Sequence, residues 1–160
     1  MAVANPASRR VLLAMAAACV VAEALALVAQ HVFDMRPCPW CILQRVIYLV
    51  IAVVCVIGAL LTAPIGRKAA AGIALVFALL GAASAIYQHV VAAKSSSCNL
   101  TLADKIINSL GLESLFPAMF QVTGSCAEAA VSVLGVPFEY WSLALFVVLA
   151  GLAARPLIRG

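Results

Sequence analysis

The sequence predicts an all-α fold: a polytopic membrane protein built as a bundle of four transmembrane helices, with two loops on one outer face. Three observations carry this. The chain has 160 residues, 66% of them hydrophobic and only 10% charged, with mean hydropathy +1.16. A water-soluble domain of this length needs far more polar surface. The apolar residues gather in four stretches, each close to the ~20 residues that a spanning helix requires. None alternates strictly, which argues against a closed β-barrel and for helices that satisfy their own backbone in lipid. Residues 1–160 read as one membrane domain.

The first helix is expected over about 11–31, on an apolar stretch at 11–29 that contains Glu23. Arg9 and Arg10 before it resemble the start of a signal peptide, and residues 16–19 loosely resemble a lipoprotein cleavage site. The apolar run continues well past Cys19, so a retained helix is expected. A short loop over about 31–40 follows, stiffened by Pro37 and Pro39. The second helix spans about 41–62 with Arg45 near its start. The third spans about 69–90. A long loop, about 91–137, leads to the fourth helix at about 138–155, whose apolar stretch is the shortest.

The bases give the orientation. Arg9 and Arg10, Arg67 and Lys68, and Arg155 and Arg159 share one side if there are four spans, and no acid accompanies them. That side is expected to be cytoplasmic, with both termini on it. Both cysteine-bearing loops then lie outside, which in a bacterium is the oxidising periplasm, and the chain sits in the inner membrane as a multi-pass protein. Trp40, Tyr87, Tyr140 and Trp141 mark the outer boundary as an aromatic belt. The net charge of +4 is modest, so the lipid bilayer rather than nucleic acid is the expected partner.

The long loop has its own pattern. Leu112, Leu115, Phe116, Met119 and Phe120 recur at helical spacing, and Leu102, Ile106, Ile107 and Leu110 form a looser stripe. Short amphipathic helices explain both, either lying on the membrane surface or packed against the bundle. Pro117 implies a kink or a helix start.

Six cysteines fall into two kinds. Cys19 and Cys55 sit inside apolar helices and read as small buried hydrophobes. Cys38, Cys41, Cys98 and Cys126 all face outside. For the Cys38-Pro39-Trp40-Cys41 pair, three readings compete: a structural disulfide, a metal site with the nearby histidines, and a redox pair. A short loop gains little from so small a staple, and zinc sites usually bring two closely spaced ligand pairs, so no metal site is expected. At a helix start, unpaired backbone N–H groups stabilise a thiolate, which favours redox chemistry, with Cys41 placed at the head of the second helix.

Arg45 lies one turn deeper than Cys41 on the same face. Its bland reading is snorkelling to the headgroups. An intramembrane arginine beside a thiolate is better read as stabilising negative charge and hydrogen-bonding a carbonyl oxygen of a lipid-soluble acceptor. Glu23 reads as packed within the bundle in preference to a proton relay. His31 and His89 read as interfacial, with His89 the stronger candidate because it borders the cysteine-bearing loop.

Together these residues resemble the DsbB family. The resemblance runs through Glu23, Gln30-His31, Pro37-Cys38-x-x-Cys41, Arg45, Tyr87-x-His89 and Cys98. It continues with Gly124-Ser125-Cys126-Ala127-Glu128, Leu134-Gly135, Pro137 and Trp141. It implies a four-helix bundle that reoxidises a DsbA-type periplasmic thiol oxidase and passes two electrons to ubiquinone or menaquinone. It further implies that Cys98 takes the partner's thiolate attack, that Cys126 exchanges with Cys38, and that Cys41 faces the quinone with Arg45 and His89 nearby. A DsbA-type oxidase is itself strongly oxidising, so recharging it needs a stronger oxidant, and a quinone is one that dissolves in the bilayer. The chain departs from the family pattern in its bulky, stiff Pro39-Trp40 dipeptide and in the short stretch between His89 and Cys98.

Rival readings are distinguishable. A vitamin K epoxide reductase-like protein places its loop cysteines before the membrane Cys-x-x-Cys, whereas here they follow it. A thiophilic metal-ion carrier using the same cysteines predicts stoichiometric metal. A structural subunit with static disulfides predicts that Cys41→Ser and Arg45→Ala leave function intact.

Overall fold

The computed structural model describes residues 6–94, 102–129 and 131–159. Cys98, expected to meet the partner, lies outside the described residues. Four long helices dominate: α1 (Pro6–Val32), α2 (Pro39–Leu60), α3 (Pro64–Val90) and, after the long loop, a helix over Phe138–Arg159. The shorter two have 22 residues each. At ~1.5 Å per residue they span about the ~30 Å hydrocarbon core.

Three helices begin earlier than their apolar stretches, α1 at Pro6, α2 at Pro39 and α3 at Pro64. Pro39 and Pro64 occupy the first turns of α2 and α3. Proline fits there because its fixed φ suits a helix and its missing N–H would have been unpaired anyway. The second helix therefore starts before Cys41, which sits inside its first turn. The final helix also outruns its apolar stretch and contains Pro156 near its end.

The helices pack α1 on α2, α2 on α3, and α3 on the final helix. Leu12 and Met15, Ile47 and Ile51, and Phe146 and Leu149 fill the centre, with Cys19 and Cys55 buried among them. Close approach depends on small residues along α3, namely Ala71, Ala74, Ala78 and Gly81. A Cβ on Gly81 would overlap the Phe146 ring. Phe146 in turn stacks on Tyr48 with ring centroids 4.3 Å apart. In lipid, such packing supplies association energy that a hydrophobic effect between helices cannot. Val20, Val21, Val53, Ile57, Val76, Leu80, Val147 and Val148 point outward and are exposed. These outward faces suit a lipid surround, and the protein is a multi-pass transmembrane bundle.

The long loop carries α4 (Leu102–Leu110), α5 (Leu112–Leu115) and α6 (Pro117–Phe120), then a two-stranded hairpin, β1 (Ser132–Val133) and β2 (Val136–Pro137), before α7 (Phe138–Arg159). The residue before a proline avoids helical geometry, so Phe116 breaks the stripe and Pro117 starts a new turn. The loop helices pack against the bundle on one face and leave apolar side chains exposed on the other. Ile107 and Phe120 pack with Ile42 of α2, while Leu102, Leu110, Leu115 and Phe116 are exposed. Leu134 and Gly135, both at positive φ, form the hairpin turn.

Candidate redox site and its cavity

The site begins at the junction of loop and helix. Cys38 is the N-cap of α2, with extended backbone geometry, and its sulfur accepts the Cys41 N–H at 3.3 Å. The helix-start donor thus serves Cys38, not Cys41, because the capping residue lies outside the first turn. The Cys38 and Cys41 sulfurs are 2.9 Å apart, and the two are not joined in a disulfide here. Trp40 between them is buried and packs against Tyr87, with ring centroids 4.7 Å apart. The stiff Pro39-Trp40 dipeptide therefore has a structural place: a helix-starting proline and an aromatic anchor to α3.

Cys126 comes to the same spot from the long loop. It is buried with Cys38, Trp40, Ala92 and Ala103. Cys38 shares hydrogen bonds with Cys126 and Cys41, and these contacts together with burial push its thiol well above the ordinary value. The loop is held there by its backbone. Thr123 and Gly124 both donate to the Pro37 carbonyl at 3.2 Å. A Cβ on Gly124 would collide with the side chain and carbonyl of Arg36, so only glycine allows this approach. Ser125 and Glu128 then form a capping box around Cys126. Glu128 accepts the Ser125 N–H at 2.8 Å, and the Ser125 hydroxyl accepts the Glu128 N–H at 3.3 Å. The Ser125 backbone and hydroxyl, with Arg36 a smaller influence, lower the Glu128 carboxyl below its usual range.

Arg45 is buried instead of snorkelling. It donates to Gln30 at 2.6 Å, to the Met119 carbonyl at 2.8 Å and to the Ala26 carbonyl at 3.2 Å. His31 contacts the neighbouring Ala118 carbonyl at 3.0 Å. These carbonyls at the end of α6 have no partner within so short a helix, so α1 and α2 supply the donors. Glu23 is buried in α1 with neither carboxylate oxygen partnered among the described residues.

Cys41 and Arg45 line a cavity of about 290 Å³ between α1, α2, α3, α7 and the loops. Its walls are largely aliphatic, with Leu25, Ala26, Ala29 and Leu145 among them, and its polar groups include Gln44, Gln88, Ser142 and Glu139. Apolar walls with a few convergent polar groups are typical of small-molecule sites of about 300–1,000 Å³. Among the described residues, no three His, Cys, Asp or Glu side chains gather as a metal-holding set.

A model of the family described as Disulfide bond formation protein DsbB matches residues 8–155. The chain belongs to the DsbB family. Disulfide bond formation protein B 1 of Pseudomonas syringae pv. syringae (strain B728a) is 38% identical over 138 residues, covering 84% of this chain and 80% of the relative. Disulfide bond formation protein B of Herminiimonas arsenicoxydans is 33% identical over 144 residues, covering 89% and 90%. The same-named protein of Burkholderia pseudomallei (strain 1106a) is 32% identical over 158 residues, covering 94% and 90%. As a DsbB-family protein, the chain is a membrane oxidoreductase of disulfide bond formation.

Within this DsbB framework, the structure unites Cys38, Cys41, Cys126 and Arg45 at one end of the bundle. His89 stands apart. It does not line the main cavity but borders a smaller hollow between α3 and α7. Its Nδ1 contacts Glu139 Oε1 at 2.7 Å, and its Nε2 lies 3.1 Å from the Tyr140 hydroxyl. Glu139 borders both hollows. Gln44, Gln88, Ser142 and Glu139 were not singled out by sequence reasoning. The available signal was the presence of two buried glutamines in apolar helices, where an amide needs partners.

Proposed function

We propose that this DsbB-family protein reoxidises a DsbA-type periplasmic thiol oxidase and passes two electrons and two protons to ubiquinone or menaquinone in the bacterial inner membrane. The observation that carries the reading is the position of Cys38, whose sulfur meets Cys126 on one side and Cys41 on the other. Cys41 in turn lines the apolar cavity. The six bases at the opposite end of the helices favour cytoplasmic termini and a periplasmic site.

In this reading the oxidised enzyme holds Cys98–Cys126 and Cys38–Cys41 disulfides. A partner thiolate attacks Cys98, forming a mixed disulfide and releasing Cys126 as a thiolate. Cys126 attacks Cys38, making a Cys38–Cys126 bond and releasing Cys41 as a thiolate. The partner's second thiol then resolves the mixed disulfide and frees Cys98. Cys98 attacks Cys126, restoring the loop disulfide and releasing Cys38. Reforming Cys38–Cys41 gives up two electrons and two protons, which is what a quinone accepts.

The residues present fit such an acceptor. The aliphatic walls suit a ring and its tail, while Arg45 and Gln44 supply cationic and amide donors at the cavity wall. Arg45 holds positive charge one turn from the Cys41 sulfur and favours its anionic form. The deciding experiment mixes the purified protein with a reduced DsbA-type oxidase and ubiquinone or menaquinone, and follows quinone absorbance. Reduction of either quinone is expected, and no reduction with either overturns the reading. Cys41→Ser is expected to form the mixed disulfide through Cys98 yet fail to reduce quinone. Equal loss of both steps contradicts the assigned roles.

A further inference from the structure

A directed chain of hydrogen bonds ends on the Cys41 sulfur. It starts at Tyr48 on α2, whose hydroxyl serves Ser142 of α7, with the Ser142 hydroxyl and carbonyl oxygens at 2.8 and 3.1 Å. The Ser142 hydroxyl donates to Gln44 Oε1 at 2.6 Å. Gln44 Nε2 donates to Gln88 Oε1 at 2.8 Å. Gln88 Nε2 then donates to the Cys41 sulfur at 3.4 Å. Gln44 and Gln88 are only 5% and 2% exposed, so neither amide has bulk water as an alternative partner.

The direction of the chain matters more than its length. An amide presents an oxygen on one side and an NH₂ on the other, and either end can face a given neighbour. With the Ser142 hydroxyl donating to its oxygen, Gln44 turns its NH₂ toward Gln88. That NH₂ claims the Gln88 oxygen and leaves the Gln88 NH₂ facing sulfur. Each donor is thereby aimed by the one behind it. A hydrogen bond donated to an ionised group favours its charged form.

We propose that Gln88 is a donor that holds the Cys41 sulfur anionic, and that Gln44 and Ser142 are positioning residues acting through the orientation of the Gln88 amide. The inference rests on the reading of Cys41 as the thiolate facing the electron acceptor. It adds a role for two neutral side chains and a hydroxyl on three different helices. Of the charged or titratable groups around Cys41, Cys38 at the N-cap and Arg45 on α2 act on it directly, while Arg36 and Glu128 from the loops, Tyr48 on α2 and Glu139 on α7 line the same cavity. Cys126 stands behind Cys38, and Glu23 of α1 lies within electrostatic reach of Arg45.

The test measures alkylation of each cysteine by iodoacetamide across pH in the full-length reduced protein, with sites assigned by peptide mass. Gln88→Ala is expected to slow Cys41 alkylation at neutral pH by about tenfold, the lower end for a hydrogen bond to a charged group. Its profile moves to higher pH. Ser142→Ala, which removes no atom touching Cys41, is expected to move the profile the same way by a smaller amount. Cys19 and Cys55 lie in the bundle core and report folding in the same sample. They are expected to stay unmodified.

An unchanged Cys41 profile in Gln88→Ala overturns the proposal. So does a Ser142→Ala profile identical to that of the unsubstituted protein while Gln88→Ala shifts, because the amide would then be oriented without the chain behind it. If Gln88→Ala exposes Cys19 and Cys55, the Ser142→Ala and Gln44→Glu profiles decide in its place. Quinone absorbance is read separately. Shifted alkylation without quinone reduction refutes the proposed function alone, and quinone reduction with unshifted alkylation refutes this inference alone.

Discussion

The guanidinium of Arg45 donates to the carbonyl of Met119 at 2.8 Å, joining a charge inside the bundle to the middle of the longest loop. Arg45 also holds Gln30 and Ala26 of α1, so one side chain ties α1, α2 and α6 together. Lysine has a single nitrogen and cannot reproduce this fork. Arg45→Lys is expected to slow quinone reduction at least about tenfold, since hydrogen bonds to charged groups are worth ~1.5–3 kcal/mol each. It is also expected to speed proteolytic cleavage in the 110–122 region. Cleavage unchanged from the unsubstituted protein would show that the loop does not depend on this contact.

Gly124 separates the two loops by no more than a hydrogen atom. Gly124→Ala places a methyl group against the Arg36 backbone and should displace Cys126 from Cys38. Overpacking of this kind costs roughly 1–3 kcal/mol. The expected result is a loss of about tenfold in the yield of Cys38–Cys126 disulfide trapped during turnover, with the partner's mixed disulfide still forming on Cys98. Disulfide mapping by mass spectrometry under non-reducing conditions measures both.

Among the described residues, His89 is joined to the main cavity through Glu139, which lines both hollows. Glu139 binds His89 with one oxygen, while its other oxygen is buried with no partner among the described residues. If His89 acts on the acceptor through this carboxylate, the effects of His89→Ala and Glu139→Gln on quinone reduction overlap. The double variant is then expected to be no slower than the worse single one, whereas independent effects would multiply. Multiplying effects would show that His89 works by another route.

Acid should loosen the Cys126 turn late. The Glu128 carboxylate is held below its ordinary range by the bonds to Ser125. A depressed value means that its contribution is complete above the ordinary carboxylate range and is lost only as pH falls through the lowered value. Exchange of the Ser125 amide hydrogen, corrected for its intrinsic pH dependence, should therefore stay slow through mildly acidic conditions. Glu128→Gln should speed it at neutral pH. Equal protection in the two proteins would remove Glu128 as the cap.

The sequence reveals what is local or chemically conspicuous. Cys41 and Arg45 lie on consecutive turns of α2, so their spacing alone placed them on one face, while Cys38 was marked by the Cys-x-x-Cys motif. The four apolar stretches were visible by length. Helix starts were less legible, because hydropathy marks where lipid begins while Pro39 and Pro64 mark where the helical backbone begins. Gln44, Gln88 and Ser142 were opaque for a different reason. Each is an unremarkable neutral residue in its own helix, and its meaning arises only where α2, α3 and α7 converge. Pairing Cys38 with Cys126 came from family resemblance; the spatial cause, a glycine contact and a shared carbonyl at Pro37, appears only in three dimensions.

Cys38 has two duties that compete. Its sulfur caps the first turn of α2 and, in the proposed relay, is also the atom that changes partners. A Cys38–Cys126 bond that pulls the sulfur off the helix end would take the acceptor from the Cys41 N–H and loosen the first turn of α2. In that relay the Cys41 N–H would gauge where the electrons are, readable in its hydrogen exchange.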